Sequence, residues 1–356
     1  MMKRILTWTM AMACCSLLNA QTEVAQYRPG VTENGITYFL PRTCLHITVT
    51  AERTVYVPGE FCGYANRFLR LKNVPQNRYE EWEIKGITVT PYGSADKKQA
   101  YTIKLKPKTS APLVSLSADG RLLAINAAAS EPAELSQPSV KKTKAETTNP
   151  ANFKTEAILA AGSTSKMAEL TANEIYDIRE NRSLLTKGQA DFMPKDGEQL
   201  RLMLKELDEQ EQALLSLFSG TSSSETHVFT LDYVPAGEVE HHVLFRFSKH
   251  LGMVDADDLA GAPFYIDIKD LHTLPAVADL PAKPKKEIED VRYVVPGRAA
   301  VSINGSAGEV YAAQIPMSQF GRIEHLGGDL FNKKFTTKVF LSPETGGILK
   351  IEGEEP

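Results

Sequence analysis

Apolar and polar side chains alternate along much of the first third of the chain. Alternation with a period of two is typical of β-strands that bury one face. Leu45, Ile47 and Val49 fall on one such face. The pattern predicts strands over residues 36–40, 43–50, 54–57, 83–90 and 101–106, with a break at Pro41, and a hairpin of 114–116 and 122–125 around Asp119-Gly120.

A second strand-rich region begins near residue 227. Its predicted strands cover 227–234, 241–248, 264–269 and 292–295 and continue to 350. Two pairs of segments are alike: VSLSADGRLLAIN (114–126) resembles VFLSPETGGILKIE (339–352), and ITYFLPRT (36–43) resembles VRYVVPGR (291–298). These matches predict two related β-rich units.

Apolar residues elsewhere recur every three or four positions, which is the spacing of an amphipathic helix. This spacing predicts helices over 60–71, 163–182 and 196–219. Asp196 with Gln199 forms a capping box at the start of the last helix, and Gly220 ends it. We therefore expect residues 163–219 to form an antiparallel helical hairpin roughly 33 Å long.

The last predicted helix carries a charged face opposite its apolar face. The residues of this charged face are Lys205, Glu206, Asp208, Glu209 and Glu211. Exposure to solvent is the ordinary explanation for such a face. A surface for a partner or for oligomerisation is the alternative.

Together these elements predict an α+β fold that is mostly β, with two β-rich modules and an inserted long antiparallel helical hairpin. The expected division is a signal peptide (1–20), an N-terminal β-rich domain with one short helix (21–126), a linker (127–150), the helical hairpin plus β-strands (151–273), a Pro/Lys-rich linker or loop (274–287), and C-terminal strands (288–356) packed with those of 226–270. The first linker is poor in large apolar side chains, so it cannot bury enough surface to order itself.

The N-terminus has the features of an export signal. Lys3 and Arg4 precede a short apolar run, and Asn19-Ala20 before Gln21 forms a small-residue cleavage site. The run is shorter than the roughly 20 residues that a membrane-spanning helix needs. We therefore expect an exported protein without a transmembrane segment, located in the periplasm or cell envelope. The alternative is a lipoprotein anchored through Cys14.

The charge of the chain argues against nucleic acid as a partner. The full chain has 40 Lys+Arg and 44 Asp+Glu, and removing Lys3 and Arg4 with the signal gives 38 − 44 = −6. A mildly acidic chain without a basic stripe lacks the positive surface that neutralises phosphates.

Cys44, His46 and Cys62 are the most reactive group of side chains outside the signal region. Cys44 and His46 lie two residues apart on a predicted strand, so their side chains point the same way. In an exported protein, two isolated cysteines most simply form a disulfide. A Cys44–Cys62 disulfide is therefore the favoured prediction, with two free thiols as the first alternative and a catalytic or metal-binding role as the second.

Ser163 and Lys166 have the Ser-x-x-Lys spacing of penicillin-recognising acyl enzymes. The same spacing recurs at Ser94 and at Ser139, and the Lys-Thr-Gly motif of those enzymes is absent. The spacing is therefore weak support for catalysis.

Two acidic segments could in principle hold a metal ion. Glu238, Glu240 and His242 alternate along a predicted strand. The Asp255-Ala-Asp257-Asp258 segment lacks the further ligands of a calcium loop, so an acidic turn explains it better. No nucleotide-binding or zinc-protease motif occurs in the chain, so we predict no catalytic residue, no metal ligand and no cofactor.

Several segments resemble one known family. They are AQT at the end of the signal, YFLPRTCLHITVTAERTVYVPGEF, GSTSKMAELTANEIYDIRENR, FMPKDGEQLRLMLKELDEQEQALLSLFSGT and NKKFTTKVFLSPETGGILKIE. The family is a set of exported Bacteroidetes proteins catalogued as domain of unknown function 4831. The resemblance implies a cell-envelope location and carries no activity, substrate or catalytic residue.

Two functions are consistent with these observations. The favoured one is a non-catalytic exported envelope protein that binds a partner protein or glycan. The alternative is a periplasmic hydrolase acting on envelope polymers, which would need convergent carboxylates or a Ser/His pair in one pocket.

Overall fold

The computed structural model describes residues 23–26, 35–104, 114–130, 142–143, 148–276, 291–326 and 336–354. This part of the chain contains three antiparallel sheets and four helices, which confirms the predicted mostly-β α+β class. The predicted signal peptide (1–20), including Cys14, lies outside the described residues, as do most of the first predicted linker and residues 277–287 of the second.

The strands form three sheets. Sheet A has the order β1-β3-β2-β7-β6, sheet B β14-β13-β5-β4, and sheet C β12-β11-β10-β8-β9. Their ranges are β1 Glu23–Gln26, β2 Gly35–Val57, β3 Tyr79–Lys104, β4 Val114–Leu116, β5 Leu122–Ile125, β6 Lys142–Thr143, β7 Thr221–Tyr233, β8 Val239–Ser248, β9 Gly252–Val254, β10 Ala262–Asp270, β11 Val291–Gly305, β12 Gly308–Leu326, β13 Thr336–Leu341 and β14 Ile348–Glu354.

The four helices are α1 Ala65–Leu69, α2 Glu156–Leu159, α3 Thr164–Lys187 and α4 Gly197–Ser219, with short 3-10 turns at Cys62–Tyr64 and Pro150–Phe153. The predicted helix over 60–71 is therefore much shorter, because Arg70 takes a left-handed conformation (φ 57°) that ends it. Among the described residues, none of the helices combines the length and the apolar character needed to cross a membrane.

β2 continues through the predicted break at Pro41. Its pairing with β3 shifts register between Phe39 and Pro41, so the proline lies at a bulge, where it does not end the strand. One strand of 23 residues thus replaces the three that the sequence predicted over 36–57.

Sheets A and C pack face to face around the main apolar core. The predicted inward face of β2, Leu45, Ile47 and Val49, is fully buried there. The facing residues of sheet C are Phe245, Ile266, Ile268, Ala299, Val301, Ile303, Ile315 and Met317. The alternation of the sequence therefore identified one side of this core correctly.

The two pairs of similar segments occupy matching places. The N–H of Phe39 in β2 donates to the carbonyl of Gly120 in the β4–β5 turn (2.9 Å). In the same way, the N–H of Val294 in β11 donates to the carbonyl of Gly346 in the β13–β14 turn (3.2 Å). Each proline bulge thus lies against a hairpin turn in the same way. The two β-rich units share a second apolar core that includes Tyr38 of one unit and Val294 of the other, and the Tyr38 hydroxyl donates to the backbone carbonyl of Arg292 (3.3 Å).

Candidate functional site

The helical hairpin of α3 and α4 is held at its base, and the α1 segment also packs along α3, where the Tyr176 hydroxyl donates to the Phe68 carbonyl (3.0 Å). Phe61, just before α1, packs against Phe218 of α4 with ring centroids 5.4 Å apart. The N–H of Phe61 donates to the carbonyl of Leu217 (2.7 Å), and the hydroxyl of Tyr56 in β2 donates to that of Ser219 (3.0 Å). These contacts hold the base of the hairpin in place, and a helix the length of α4 extends roughly 35 Å.

An ion-pair cluster joins the two helices midway along the hairpin. Arg179 Nε lies 2.6 Å from one carboxylate oxygen of Glu211, and Arg182 Nη2 lies 2.5 Å from the other. Arg182 also pairs with Asp208. Glu211 is only 5% exposed, so its prediction as part of a solvated face is wrong. The carboxylate points inward because two arginines of α3 neutralise it there.

The tip of the hairpin exposes large apolar side chains. Phe192 is 64% and Met193 38% exposed in the loop between α3 and α4, and Leu202 in the second turn of α4 is 58% exposed. Three such side chains close together in sequence on a projecting element form the tip patch (Phe192, Met193, Leu202). Exposed apolar patches of this kind mark interaction surfaces.

A groove runs along one side of α4 from this tip to its base. Its volume is about 680 Å³, within the usual range for ligand sites. The lining residues are Thr148, Arg201, Leu204, Lys205, Asp208, Glu209, Gln212, Ala213, Ser216, Ser219, Gly220, Thr221 and Ser222. Basic side chains lie at the outer end, acidic ones in the middle, and amide and hydroxyl groups at the base. We call this surface the α4 groove.

The sequence prediction named three of the charged residues of the α4 groove, Lys205, Asp208 and Glu209, and missed Arg201 and the uncharged lining. Gln212, Ser216 and Ser219 extend the polar stripe to the base of α4 at helical spacing. That spacing was the available signal. The contribution of Thr148 and Thr221 depends on how the chain packs beside the helix, which spacing does not encode.

Cys44 and Cys62 are free thiols, so the predicted disulfide is not formed. Because β2 continues to Val57, Tyr56 lies roughly 40 Å along the strand from Cys44 at about 3.3 Å per residue. Burial is the main cause of the raised pKa of Tyr56, and the neighbouring Cys62 adds to it. Cys62 therefore lies close to Tyr56. The two sulfurs are therefore far beyond bonding range.

Cys44 and His46 do share the outer face of sheet A, as the alternation predicts. His46 Nδ1 lies 2.8 Å from Asp232 on β7, and the hydroxyl of Tyr92 on β3 contacts both the Cys44 thiol and the Asp232 carboxylate. Burial raises the pKa of Cys44 by more than the hydrogen bond with Tyr92 lowers it. A thiol that is 1% exposed and stays protonated is a poor nucleophile.

The Ser-x-x-Lys motif at Ser163 caps a helix. The Ser163 hydroxyl oxygen accepts the backbone N–H of Lys166 at 3.3 Å, and the Lys166 amine pairs with Glu169 at 3.1 Å. The amine is thus occupied by a carboxylate. Ser163 Oγ has the role of an ordinary N-cap, which explains its position.

The two acidic segments serve local structure. Glu238 accepts the backbone N–H of Asp270 (3.0 Å), and His241 has a positive φ of 51° at a register shift, which interrupts the alternation of Glu238, Glu240 and His242. Asp258 accepts the N–H of Ala260 within its turn (2.9 Å). No group of three or more metal-ligating side chains is arranged to hold an ion in the part of the chain that the structure describes.

Comparison with known proteins places the chain in one family. No curated protein and no solved structure matches it. One family model does match, over residues 34–349, which is most of the chain and includes the hairpin, the α4 groove and every described strand except β1 and most of β14. The chain therefore belongs to the family described as Domain of unknown function (DUF4831).

Proposed function

We propose that this chain is a non-catalytic, exported cell-envelope protein of a Bacteroidetes bacterium and that it binds a partner protein or glycan through its helical hairpin. Export is supported by the charged and apolar pattern of residues 1–20. Because Cys44 and Cys62 are free, they add no support for an exported location, which rests on the N-terminal pattern alone.

The tip patch carries the binding proposal. Phe192, Met193 and Leu202 are exposed on an element whose base is buried and whose middle is fixed by the Glu211 cluster. Exposing a Phe, a Met and a Leu contributes nothing to the stability of the isolated chain. A rigid support with an apolar end is the arrangement expected of a docking element.

A protein is the favoured partner over a glycan. Among the described residues, no aromatic side chain lines the α4 groove beside the tip patch, so this lining offers no ring face on which a sugar could stack. Flexible Met and aromatic Phe are residues that protein interfaces enrich.

The test is crosslinking followed by affinity capture from cells of the source bacterium. The Phe192→Ser/Met193→Ser/Leu202→Ser variant should recover the main crosslinked partner at less than about a tenth of the wild-type level, a loss of roughly 1.4 kcal/mol or more of binding free energy. The matched control is Leu259→Ser, because Leu259 is 82% exposed but lies in the loop between β9 and β10. Equal recovery by both variants would refute docking through the tip patch.

A further inference from the structure

The proposed function leaves open what the α4 groove binds. We propose that it holds an extended segment of polypeptide in which an acidic and a basic residue lie two positions apart. This inference rests on the proposed function, since it names the chemistry of the partner at the surface next to the tip patch.

The dimensions of the groove favour a single extended chain. From Arg201 to Ser219 the helix rises roughly 27 Å at 1.5 Å per residue. An extended chain advances about 3.4 Å per residue, so a groove of that length matches about eight residues of one such chain.

The charges of the groove fix the pattern of the partner. Arg201 and Lys205 are largely exposed at its outer end, and Asp208 and Glu209 follow about 8 Å further along the helix axis. Side chains on one face of an extended chain repeat about every 6.8 Å. A carboxylate at one position and an ammonium group two positions on would therefore face the two charged regions together.

These charges are available to a ligand. Arg201 pairs with Glu198 and Lys205 with Glu209, both within α4 and both exposed, while Asp208, which is 55% exposed, pairs with Arg182 of α3. Exposed pairs of this kind contribute only about 0–1 kcal/mol. A ligand that neutralises the same groups can replace them at little cost.

The base of the groove is suited to peptide N–H groups. Ser216 Oγ donates to the carbonyl of Ala213 (2.6 Å), and Ser219 Oγ donates to that of Leu215 (3.2 Å). With their protons committed to the helix, both hydroxyl oxygens remain acceptors. Gln212 adds an amide that can both donate and accept beside them.

The probes are two fluorescein-labelled peptides of about ten residues, with Gly, Ser and Thr as background. One contains Glu-Gly-Lys and the other Glu-Lys-Gly, so composition and net charge are equal while only the first places both charges on one face. Fluorescence anisotropy with the purified protein should show the Glu-Gly-Lys peptide binding at least about fivefold tighter, or roughly 1 kcal/mol. Equal binding of the two peptides, or binding of neither, overturns the proposal.

Protein variants locate the site. Arg201→Glu/Lys205→Glu should weaken binding of the Glu-Gly-Lys peptide by about tenfold or more, while Lys166→Glu, an exposed change on α3 outside the groove, should leave it unchanged. Chitohexaose is the glycan probe. If it binds and the Arg201→Glu/Lys205→Glu variant abolishes that binding, the groove is a glycan site and the polypeptide proposal is wrong.

The tip patch and the groove can fail separately. The Phe192→Ser/Met193→Ser/Leu202→Ser variant keeps every charge of the groove, so it should bind the Glu-Gly-Lys peptide normally even though it loses its crosslinked partner. A tip variant that captures its partner normally contradicts the proposed function. If the wild-type protein binds neither peptide, only the inference about the groove is contradicted.

Discussion

Glu211→Gln tests the ion-pair cluster that joins the two helices. The change keeps the size of the side chain and removes its negative charge. Wild-type Glu211 accepts a hydrogen bond from Arg179 at one carboxylate oxygen and forms an ion pair with Arg182 through the other. Hydrogen bonds between charged partners contribute about 1.5–3 kcal/mol each, and neutral ones about 0.5–1.5.

The expected loss follows from these values and from solvent exposure. Gln keeps one acceptor oxygen for one arginine, but its NH2 group meets the donors of the other, so one charged interaction is lost and the upper estimate is about 2 kcal/mol. Both arginines are roughly one-third exposed, and water can therefore hydrate them in the variant. We expect Glu211→Gln to lower the free energy of unfolding of the hairpin by about 1–2 kcal/mol.

The assay is urea denaturation followed by two signals. Far-ultraviolet circular dichroism reports mainly on the helices, and fluorescence of Trp82, on β3, reports on the sheets. The dichroism transition should shift to lower urea in Glu211→Gln. The matched control is Glu209→Gln, since Glu209 forms an exposed pair with Lys205 and should cost less than about 0.5 kcal/mol. A shift no larger than that of the control would refute the stabilising role of the cluster.

Three further changes test other parts of the account. Gly346 has a φ of 74°, and a Cβ there would lie 2.7 Å from Pro41, so Gly346→Ala should cost about 1–3 kcal/mol by urea denaturation, while Gly353→Ala, in open space, should not. Mass spectrometry after alkylation without reductant should find Cys62 labelled in the native protein and Cys44 labelled only after unfolding. If neither cysteine is labelled in the unfolded protein, the two form a disulfide and the structure is contradicted on this point. Burial raises the pKa of Tyr92 to about 12. Relative to about 10 in the unfolded chain, its stabilising contribution is complete below pH 10 and is lost as the pH rises towards 12. Tyrosinate absorbance should therefore lose the step near pH 12 in Tyr92→Phe.

Local patterns in the sequence predicted the hairpin well. Ser163 and Asp196 cap α3 and α4 as their residue types indicate, with hydroxyl or carboxylate oxygens accepting the N–H groups three residues on. α3 extends past the predicted end at Arg182 to Lys187, where Gly188 in a left-handed conformation stops it. Caps and helical spacing act within a few residues, so a single sequence reveals them.

A local sequence pattern does not show which distant strands pair. Val339 of β13 pairs with Ile125 of β5, more than 200 residues away, and alternation shows only that each strand has an apolar face. The continuity of β2 through Pro41 also depends on a partner strand that accommodates the bulge. The disulfide prediction was wrong because it rested on two isolated cysteines in an exported protein, which does not show that β2 continues to Val57 and separates Cys44 from Cys62.

The α4 groove depends both on local helical spacing and on contacts between distant segments. Its charged half follows from helical spacing, and its base forms only where α4 meets Thr148 and β7. The buried position of Glu211 depends on arginines from another helix. A helical wheel of α4 alone therefore cannot separate the charges that are exposed from the one that is buried.

The central claim is that the hairpin is the surface through which this protein binds its partner. The most direct measurement places a photoreactive benzoylphenylalanine at Phe192, in the tip patch, and at Thr88, exposed on sheet A, in cells of the source bacterium. The account predicts one discrete crosslinked species from position 192, absent from position 88 and lost when Met193→Ser/Leu202→Ser is added. The same products from both positions, or none from position 192, would contradict it.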